Sequence, residues 1–300
     1  MDSDGTAAAQ ERFLAARGLK HGFTSNFTSA AGVRFHYLTV GNPEDPCLVF
    51  IHGGSGNCCS WWRNFDFFAD RSFYCVAVDL RFYGASSSSD DLCNGFTGGE
   101  TFAKDVIAAL DAEHVDKAVL LCQSLTGCAA LFAAANFPDR VAGVVMCNTN
   151  RGIPRDEEDE ALAGALALAP WPSQWPVRGL SPRFQEAEGQ LTQLFLDVRA
   201  LNQKGLGHDL ESACKRRTVP ADRLGLLAHP MLMLSSGHDP FFSRAMLEKS
   251  AQSLALCELV HVPDCGHSVY FEDPAVFNQT VEDWIARCVP GHFKSSSFAM

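Results

Sequence analysis

Three short segments hold side chains of the right kinds, in the right chain order, to build an activated nucleophile. The first is Cys122-Gln123-Ser124-Leu125-Thr126-Gly127, where the apolar run Ala118 to Cys122 passes into a helical pattern. A serine on such a strand-to-helix turn has its hydroxyl pushed out at the top of a sheet, beside the unpaired amides of the following helix. An N-cap serine is the plainer role for the same position. The second segment, Ser235-Ser236-Gly237-His238-Asp239-Pro240, follows the apolar run Met231 to Leu234; the third, Pro263-Asp264-Cys265-Gly266-His267, follows Leu256 to Val262. A serine hydroxyl is a poor nucleophile at neutral pH until a neutral imidazole takes its proton, and that imidazole needs a carboxylate to fix its tautomer. Ser124, Asp239 and His267, each after its own strand, meet those needs in the chain order Ser, Asp, His. A fourth segment, His52-Gly53-Gly54-Ser55-Gly56, closes the apolar run Cys47 to Ile51. Its glycine amides approach a ligand closely, and the amide of Gly54 beside that of Leu125 would make an oxyanion hole. The Lys-Ser/Thr pair of a phosphate loop is absent from it.

The elements that must carry these segments follow from hydrophobic periodicity. Val33 to Val40, Cys47 to Ile51, Phe73 to Val78, Ala118 to Cys122, Val141 to Cys147, Met231 to Leu234 and Leu256 to Val262 read as strands. Helical patterns cover Trp61 to Phe68, Thr101 to Glu113, Leu125 to Asn136 and Pro274 to Cys288. Ala118 to Cys122 is almost wholly apolar, as a central parallel strand buried on both faces must be. The β-α-β-α rhythm predicts an α/β fold with a mostly parallel, doubly wound sheet, whose ligands sit beyond the C-terminal strand ends. The rhythm breaks between about Arg151 and Leu227, which opens on the charged run Arg155 to Glu160 and holds helical stretches without a strand. Acids suit a helix start, and a helical excursion between sheet strands is how a cap is attached. The expected division is therefore a core over 20–150 and 228–290, a helical cap over 151–227, and tails over 1–19 and 291–300.

Composition narrows the class of function. The chain has 300 residues, 47% hydrophobic and 20% charged, with Lys+Arg 24 against Asp+Glu 35 for a net charge of −11. That balance argues against nucleic-acid binding, which needs a concentrated positive surface. No run approaches the roughly 18 apolar residues of a membrane span. The start, MDSDGTAAAQERF, lacks the basic and apolar regions of a signal peptide. A cytoplasmic protein acting on a small molecule, with no membrane span, is the expectation; monomer and homodimer both remain open. Of the 12 cysteines, Cys47, Cys75, Cys122 and Cys147 lie in or at the ends of strand-like runs and read as buried free thiols. Cys58 and Cys59 read as exposed-loop or helix-start thiols without a role. No CxxC pair or zinc-ligand histidine spacing occurs, so neither a metal nor a disulfide framework is expected.

As a set, HGGSG at 52–56, DLRFYGAS at 79–86, CQSLTG at 122–127, GHDP at 237–240 and CGHSVYFEDP at 265–274 resemble the α/β-hydrolase superfamily, from about Val33 to Cys288. The resemblance implies that fold with an inserted cap and no cofactor. By similarity, Ser124 is the nucleophile, Asp239 the orienting acid, His267 the base, and Gly54 and Leu125 the oxyanion amides. Asp79, Arg81, Gly84 and Ser86 match a family stretch that shapes a loop, with Phe82 where its first glycine stands. Cys122 and Thr126 replace both glycines of the usual elbow; Cys is small enough, Thr is β-branched, and Gly127 is placed to give relief. Some members carry the acid after the preceding strand, but here that stretch reads Asn148-Thr149-Asn150. Asp264 and Glu272 read as surface or loop residues, His238 as a wall residue, and His52 as loop structure.

The expected activity is hydrolysis of an ester, thioester or lactone of a small-to-medium apolar substrate. The cap would contribute Trp171, Trp175, Phe184, Leu194, Phe195 and Leu196, for which packing in the cap core is the plainer role, and Trp61, Trp62 or Phe82 would form the lower wall. The alternatives are cleavage of a C–C bond beside a ketone on the same triad, and an inactive hydrolase fold that serves as a ligand receptor.

Overall fold

The computed structural model describes residues 2–88, 92, 95–168, 177–202, 214 and 217–291. Its strands are β1 (Thr24–Ala30), β2 (Val33–Val40), β3 (Cys47–Ile51), β4 (Tyr74–Val78), β5 (Ala118–Gln123), β6 (Val141–Cys147), β7 (Met231–Ser236) and β8 (Cys257–Val262). They form one 8-stranded sheet in the order β1-β2-β4-β3-β5-β6-β7-β8. The β1/β2 and β2/β4 pairs are antiparallel, and the others are parallel. Period-2 alternation splits the central strands between two cores. Leu48 and Phe50 of β3 join Trp61, Phe65 and Phe68 on one face, while Val49 and Ile51 join Phe102, Val106 and Leu110 on the other.

The helices before the insertion are α1 (Ser3–Ala15), α2 (Phe65–Ala69), α3 (Gly99–Ala112) and α4 (Gly127–Asn136). Between β6 and β7 come α5 (Glu157–Leu168), α6 (Pro182–Ala187), α7 (Gly189–Ala200) and α8 (Ala221–Leu224); α9 (Arg244–Gln252), α10 (Val269–Glu272) and α11 (Pro274–Cys288) follow. Among the described residues no strand interrupts that insertion, and no helix is long and apolar enough to cross a membrane.

Residues 1–19, expected as a tail, carry the docked helix α1, with Thr6, Ala7, Gln10 and Leu14 buried. Gln10 explains the docking: its Nε2 donates to Asp79 Oδ2 at 3.0 Å. The same carboxylate accepts from His36 Nδ1 at 2.8 Å, Cys58 N at 2.6 Å and Ala85 N at 2.9 Å. Ser86 Oγ donates to Asp79 O at 2.5 Å and accepts from His36 N at 2.8 Å. Arg81 forms a forked ion pair with Asp105 of α3. Gly84 has φ +51, and a Cβ there would run into the Asp79 carboxylate. Phe82 adopts φ +74, the backbone of the glycine it replaces, and its ring sits edge-on to Phe96 at 5.4 Å. A left-handed aromatic residue is strained; here burial of the ring holds it. Cys58 and Cys59, expected as thiols of an exposed loop or helix start, are fully buried on a 3₁₀ turn beside α1, and burial pushes both thiols up.

Burial alone would raise the Asp79 carboxyl, but the hydrogen bond and charge of His36 outweigh it and hold it at about 2. The folded value lies below the unfolded one, so its stabilisation is present above about pH 4 and disappears as the pH falls through about 2. Asp79→Asn is expected to cost roughly 3 kcal/mol in urea unfolding at pH 7, with the gap to wild type narrowing as acid approaches pH 2. A cost that is absent at pH 7 would contradict this role.

Candidate active site

β5 is buried along its whole length, so the chain reverses only after its end, at a single residue. Ser124 has φ +54, a conformation that costs a non-glycine residue roughly 1–2 kcal/mol. Its surroundings over-determine it. Thr149 Oγ1 donates to Ser124 O at 2.5 Å, and Gln123 Nε2 donates to His267 O at 3.0 Å. Thr126 is fully buried, and its hydroxyl lies 3.1 Å from Gln123 O and 3.3 Å from Ile51 O. The threonine that replaces a glycine thus ties the elbow to two strand ends. Gly127 supplies the close approach instead, since a Cβ there would lie 2.8 Å from Thr149 Cγ2. Cys122 is fully buried, and burial pushes its thiol well up, which keeps it protonated and out of the chemistry.

After β7 and β8 the acid and the base meet. His267 Nδ1 lies 2.9 Å from Asp239 Oδ2, and the side chains are 3% and 1% exposed. Asp239 Oδ1 accepts from Phe241 N at 2.8 Å and Phe242 N at 3.2 Å. A carboxylate only accepts, so His267 Nδ1–H is the donor, which in the neutral tautomer leaves the lone pair on Nε2. Asn148 Nδ2 also donates to Asp239 Oδ2, at 3.0 Å, and to Ser236 Oγ at 2.6 Å. The asparagine at the alternative acid position therefore serves the acid from the next strand. Phe242 stacks on the His267 ring at 5.7 Å and 9°, and Phe241 meets it edge-on at 4.7 Å. The Gln123 bond brings the base loop against the elbow. Among the described residues no hydrogen bond joins the Ser124 hydroxyl to His267; such bonds tighten when substrate binds.

The third wall is the loop after β3. His52 is fully buried; its Nε2 accepts from Leu80 N at 3.3 Å, and Nδ1–H donates to Gly53 O at 2.8 Å. Burial lowers its pKa, consistent with a neutral ring that braces the loop. A Cβ on Gly53 would run into Gln123 Oε1, and one on Gly54 would lie 3.8 Å from Leu125 Cδ2, so Gly54 and Leu125 are neighbours. From the inserted helices, Val198 O accepts from Asn57 Nδ2 at 2.6 Å. Asn202 Nδ2 donates to Ser55 O at 2.9 Å, while Asn202 Oδ1 accepts from Gly84 N at 2.6 Å.

Of the aromatic residues expected along the walls, Trp61, Trp62 and Phe82 pack in or against the core. Trp61 is fully buried against Tyr270 at 4.3 Å and Phe50 at 5.4 Å, within the core. Phe82 is core too, and Trp62 meets Phe13 of α1 edge-on at 6.4 Å. Phe195 of α7 packs on Phe271 at 5.0 Å. Trp171 and Trp175 lie outside the described residues. His238 and Asp264 are exposed, the latter 3.6 Å from Arg183. Glu272, expected at the surface, instead links two segments. Its carboxylate accepts from Gly266 N at 2.9 Å and, at the start of α6, from Ser181 N at 3.0 Å and Ser181 Oγ at 2.7 Å. Burial pushes it up to about 7.

A wound sheet with a strained serine after its central strand, and an Asp–His pair at the next strand ends, defines a class of hydrolases. The chain belongs to the alpha/beta hydrolase family, whose model matches residues 48–280. It is 26% identical over 263 residues to 3-oxoadipate enol-lactonase 2 of Acinetobacter baylyi, covering 85% of this chain and 94% of that protein. It is 24% identical over 268 residues to the 2-hydroxy-6-oxononadienedioate/2-hydroxy-6-oxononatrienedioate hydrolase of Burkholderia vietnamiensis, covering 85% and 92%. The naproxen esterase of Bacillus subtilis shares the fold with a TM-score of 0.73 at 15% identity, covering 95% of this chain and 99% of that one. The chain is thus an enzyme of the hydrolase class.

Gly53→Ala forces Gln123 away from both Gly53 and His267 O. Its kcat is expected to fall by about tenfold or more, with the far-ultraviolet circular dichroism unchanged. Retention of more than half the wild-type kcat would contradict the link between loop, elbow and base.

Proposed function

We propose that this hydrolase cleaves a carboxylic ester, thioester or lactone through an acyl-enzyme on Ser124. The observation that supports it most is the conjunction of Ser124 at φ +54 with the buried Asp239–His267 pair, joined through Gln123 to His267 O. Ser124 Oγ attacks the carbonyl carbon while His267 Nε2 takes the hydroxyl proton. The amides of Gly54 and Leu125 donate to the oxyanion. As the tetrahedral adduct collapses, the bond to the leaving oxygen or sulfur breaks and His267 gives that atom its proton. Asp239 stabilises the imidazolium in between, its oxygens also accepting hydrogen bonds from Asn148 and two backbone amides. Water then attacks the acyl carbon, passes a proton to His267, and the acid leaves as Ser124 regains its hydrogen. In this reading residues 20–150 and 228–290 form the core, and 151–227 a cap braced on the oxyanion loop by Asn57 and Asn202.

Similarity to the enol-lactonase supports the lactone branch. A second reading, cleavage of a C–C bond beside a ketone, rests on similarity to the oxononadienedioate hydrolase and uses the same residues.

With 4-nitrophenyl butyrate, Ser124→Ala and His267→Ala are each expected to lower kcat by about 10³-fold or more. Variants that keep a tenth of the wild-type rate, or a wild type that turns over no ester, would overturn the acyl-enzyme reading.

A further inference from the structure

The buried group around Asp79 holds side chains that a hydrogen-bonded brace does not need. Among the described residues, His36, Cys58 and Asp79 are the one set of three His, Cys, Asp or Glu side chains whose ligand atoms all lie within 4.8 Å of one another, and all three are buried. Asp79 Oδ2 lies 2.8 Å from His36 Nδ1, and Cys58 Sγ lies 3.9 Å from the same nitrogen. They come from β2, from the 3₁₀ turn Cys58–Trp61 and from the residue after β4. A fourth segment, α1, closes the group. Gln10 is fully buried, and its Nε2 sits 3.0 Å from Asp79 Oδ2 and 3.5 Å from Cys58 Sγ. Among the described residues nothing donates to its Oε1, a state that buried carbonyl oxygens rarely keep.

A half-turn of that amide exchanges its oxygen with its nitrogen and aims Oε1 between Cys58 and Asp79. Facing a bare carboxylate, that orientation is repulsive; with a cation between them, sulfur, imidazole nitrogen, carboxylate and amide oxygen all turn lone pairs on it. One sulfur, one nitrogen and two oxygens in a dry, closed site suit zinc, whereas calcium and magnesium take oxygen alone. Tetrahedral zinc at its usual bond lengths sets nitrogen about 3.3 Å from oxygen and about 3.6 Å from sulfur, so the observed separations need to change by only about half an ångström. Charge agrees. Zn²⁺ balances one carboxylate and one thiolate, Cys58 giving up its proton to solvent as the metal binds. Ser25 Oγ lies 3.0 Å from Nε2, the far nitrogen of His36, which is the outer contact that fixes a zinc-ligating imidazole. The amides of Cys58 and Ala85 hold the carboxylate at 2.6 and 2.9 Å. Ligands at 10, 36, 58 and 79 share no local spacing, so neither a CxxC pair nor a histidine repeat marks them in the sequence.

We propose that His36 Nδ1, Cys58 Sγ, Asp79 Oδ2 and Gln10 Oε1 form a structural zinc site that clamps α1 and the turn after the oxyanion loop to the end of β4. With all four positions filled by protein the metal has no place for substrate, so the site is independent of the hydrolase chemistry and adds stability instead.

The test measures metal content by mass spectrometry on the full chain, purified without a metal-binding tag from cells given Zn²⁺. Wild type is expected to hold about one zinc ion per chain after dialysis, and to melt about 5 °C or more above metal-free protein. Refolding in Co²⁺ is expected to give the near-ultraviolet charge-transfer band of a thiolate–cobalt bond. Cys58→Ser is expected to lose both metal and band, and Ser25→Ala to bind zinc about tenfold more weakly. Gln10→Leu, expected to lose most of the zinc, is a second variant should Cys58→Ser fail to fold. Cys257 and Cys288 are partly exposed beside Glu258, and a variant with serine at both is expected to keep the metal. Wild type without zinc overturns the proposal. Zinc that survives Cys58→Ser or Gln10→Leu, or that leaves with the two surface thiols, overturns it as well.

Discussion

A serine forced into the left-handed region is the constraint on which the rest of the site depends. The straight, fully buried β5 delivers the chain to the top of the sheet, and one strained residue turns it into α4. That turn leaves Leu125 beside Gly54. Strain of this size persists only where neighbours agree on it. Here Thr149 just after β6, Ile51 of β3 and the His267 loop after β8 all converge on residues 123–126. The elbow is also the knot through which nucleophile, oxyanion loop and base are set relative to one another.

A similar economy governs the supports on either side. Asp239 has four hydrogen-bond donors on its two oxygens, and Asp79, beneath the oxyanion loop, also has four. Buried carboxylates are costly unless fully hydrogen-bonded, and both are. One faces the histidine that, in the proposed mechanism, gains and loses a proton. The other faces a histidine whose second nitrogen is engaged by Ser25 at 3.0 Å, which suits it to structure. Identical pairs of residue types thus separate into a working pair and a brace by what surrounds them.

Much of this was legible in the sequence because strands and strand ends announce themselves locally. The apolar runs that become β2 to β8 stand out, and the reactive residues sit directly after β3, β5, β7 and β8. What stayed hidden depends on distant partners. β1 reads TSNFTSA and is a strand only through its pairing with β2. The α1 stretch lacks a strong apolar face, and its docking turns on Gln10 reaching Asp79. Asn148 and Glu272 looked like ordinary loop residues, because the groups that they hold lie 91 positions away along the chain. Trp61 and Phe82 carried the opposite signal: large aromatics near the site in sequence, they fill the core below it.

Activation of the Ser124 hydroxyl by His267 is the step on which the proposed chemistry turns. The most direct measurement is peptide mapping by mass spectrometry after brief exposure to a fluorophosphonate. A single adduct is expected on the peptide carrying Ser124, lost on replacement of His267 by alanine. An unmodified Ser124, or an adduct that forms equally well without the imidazole, would contradict it.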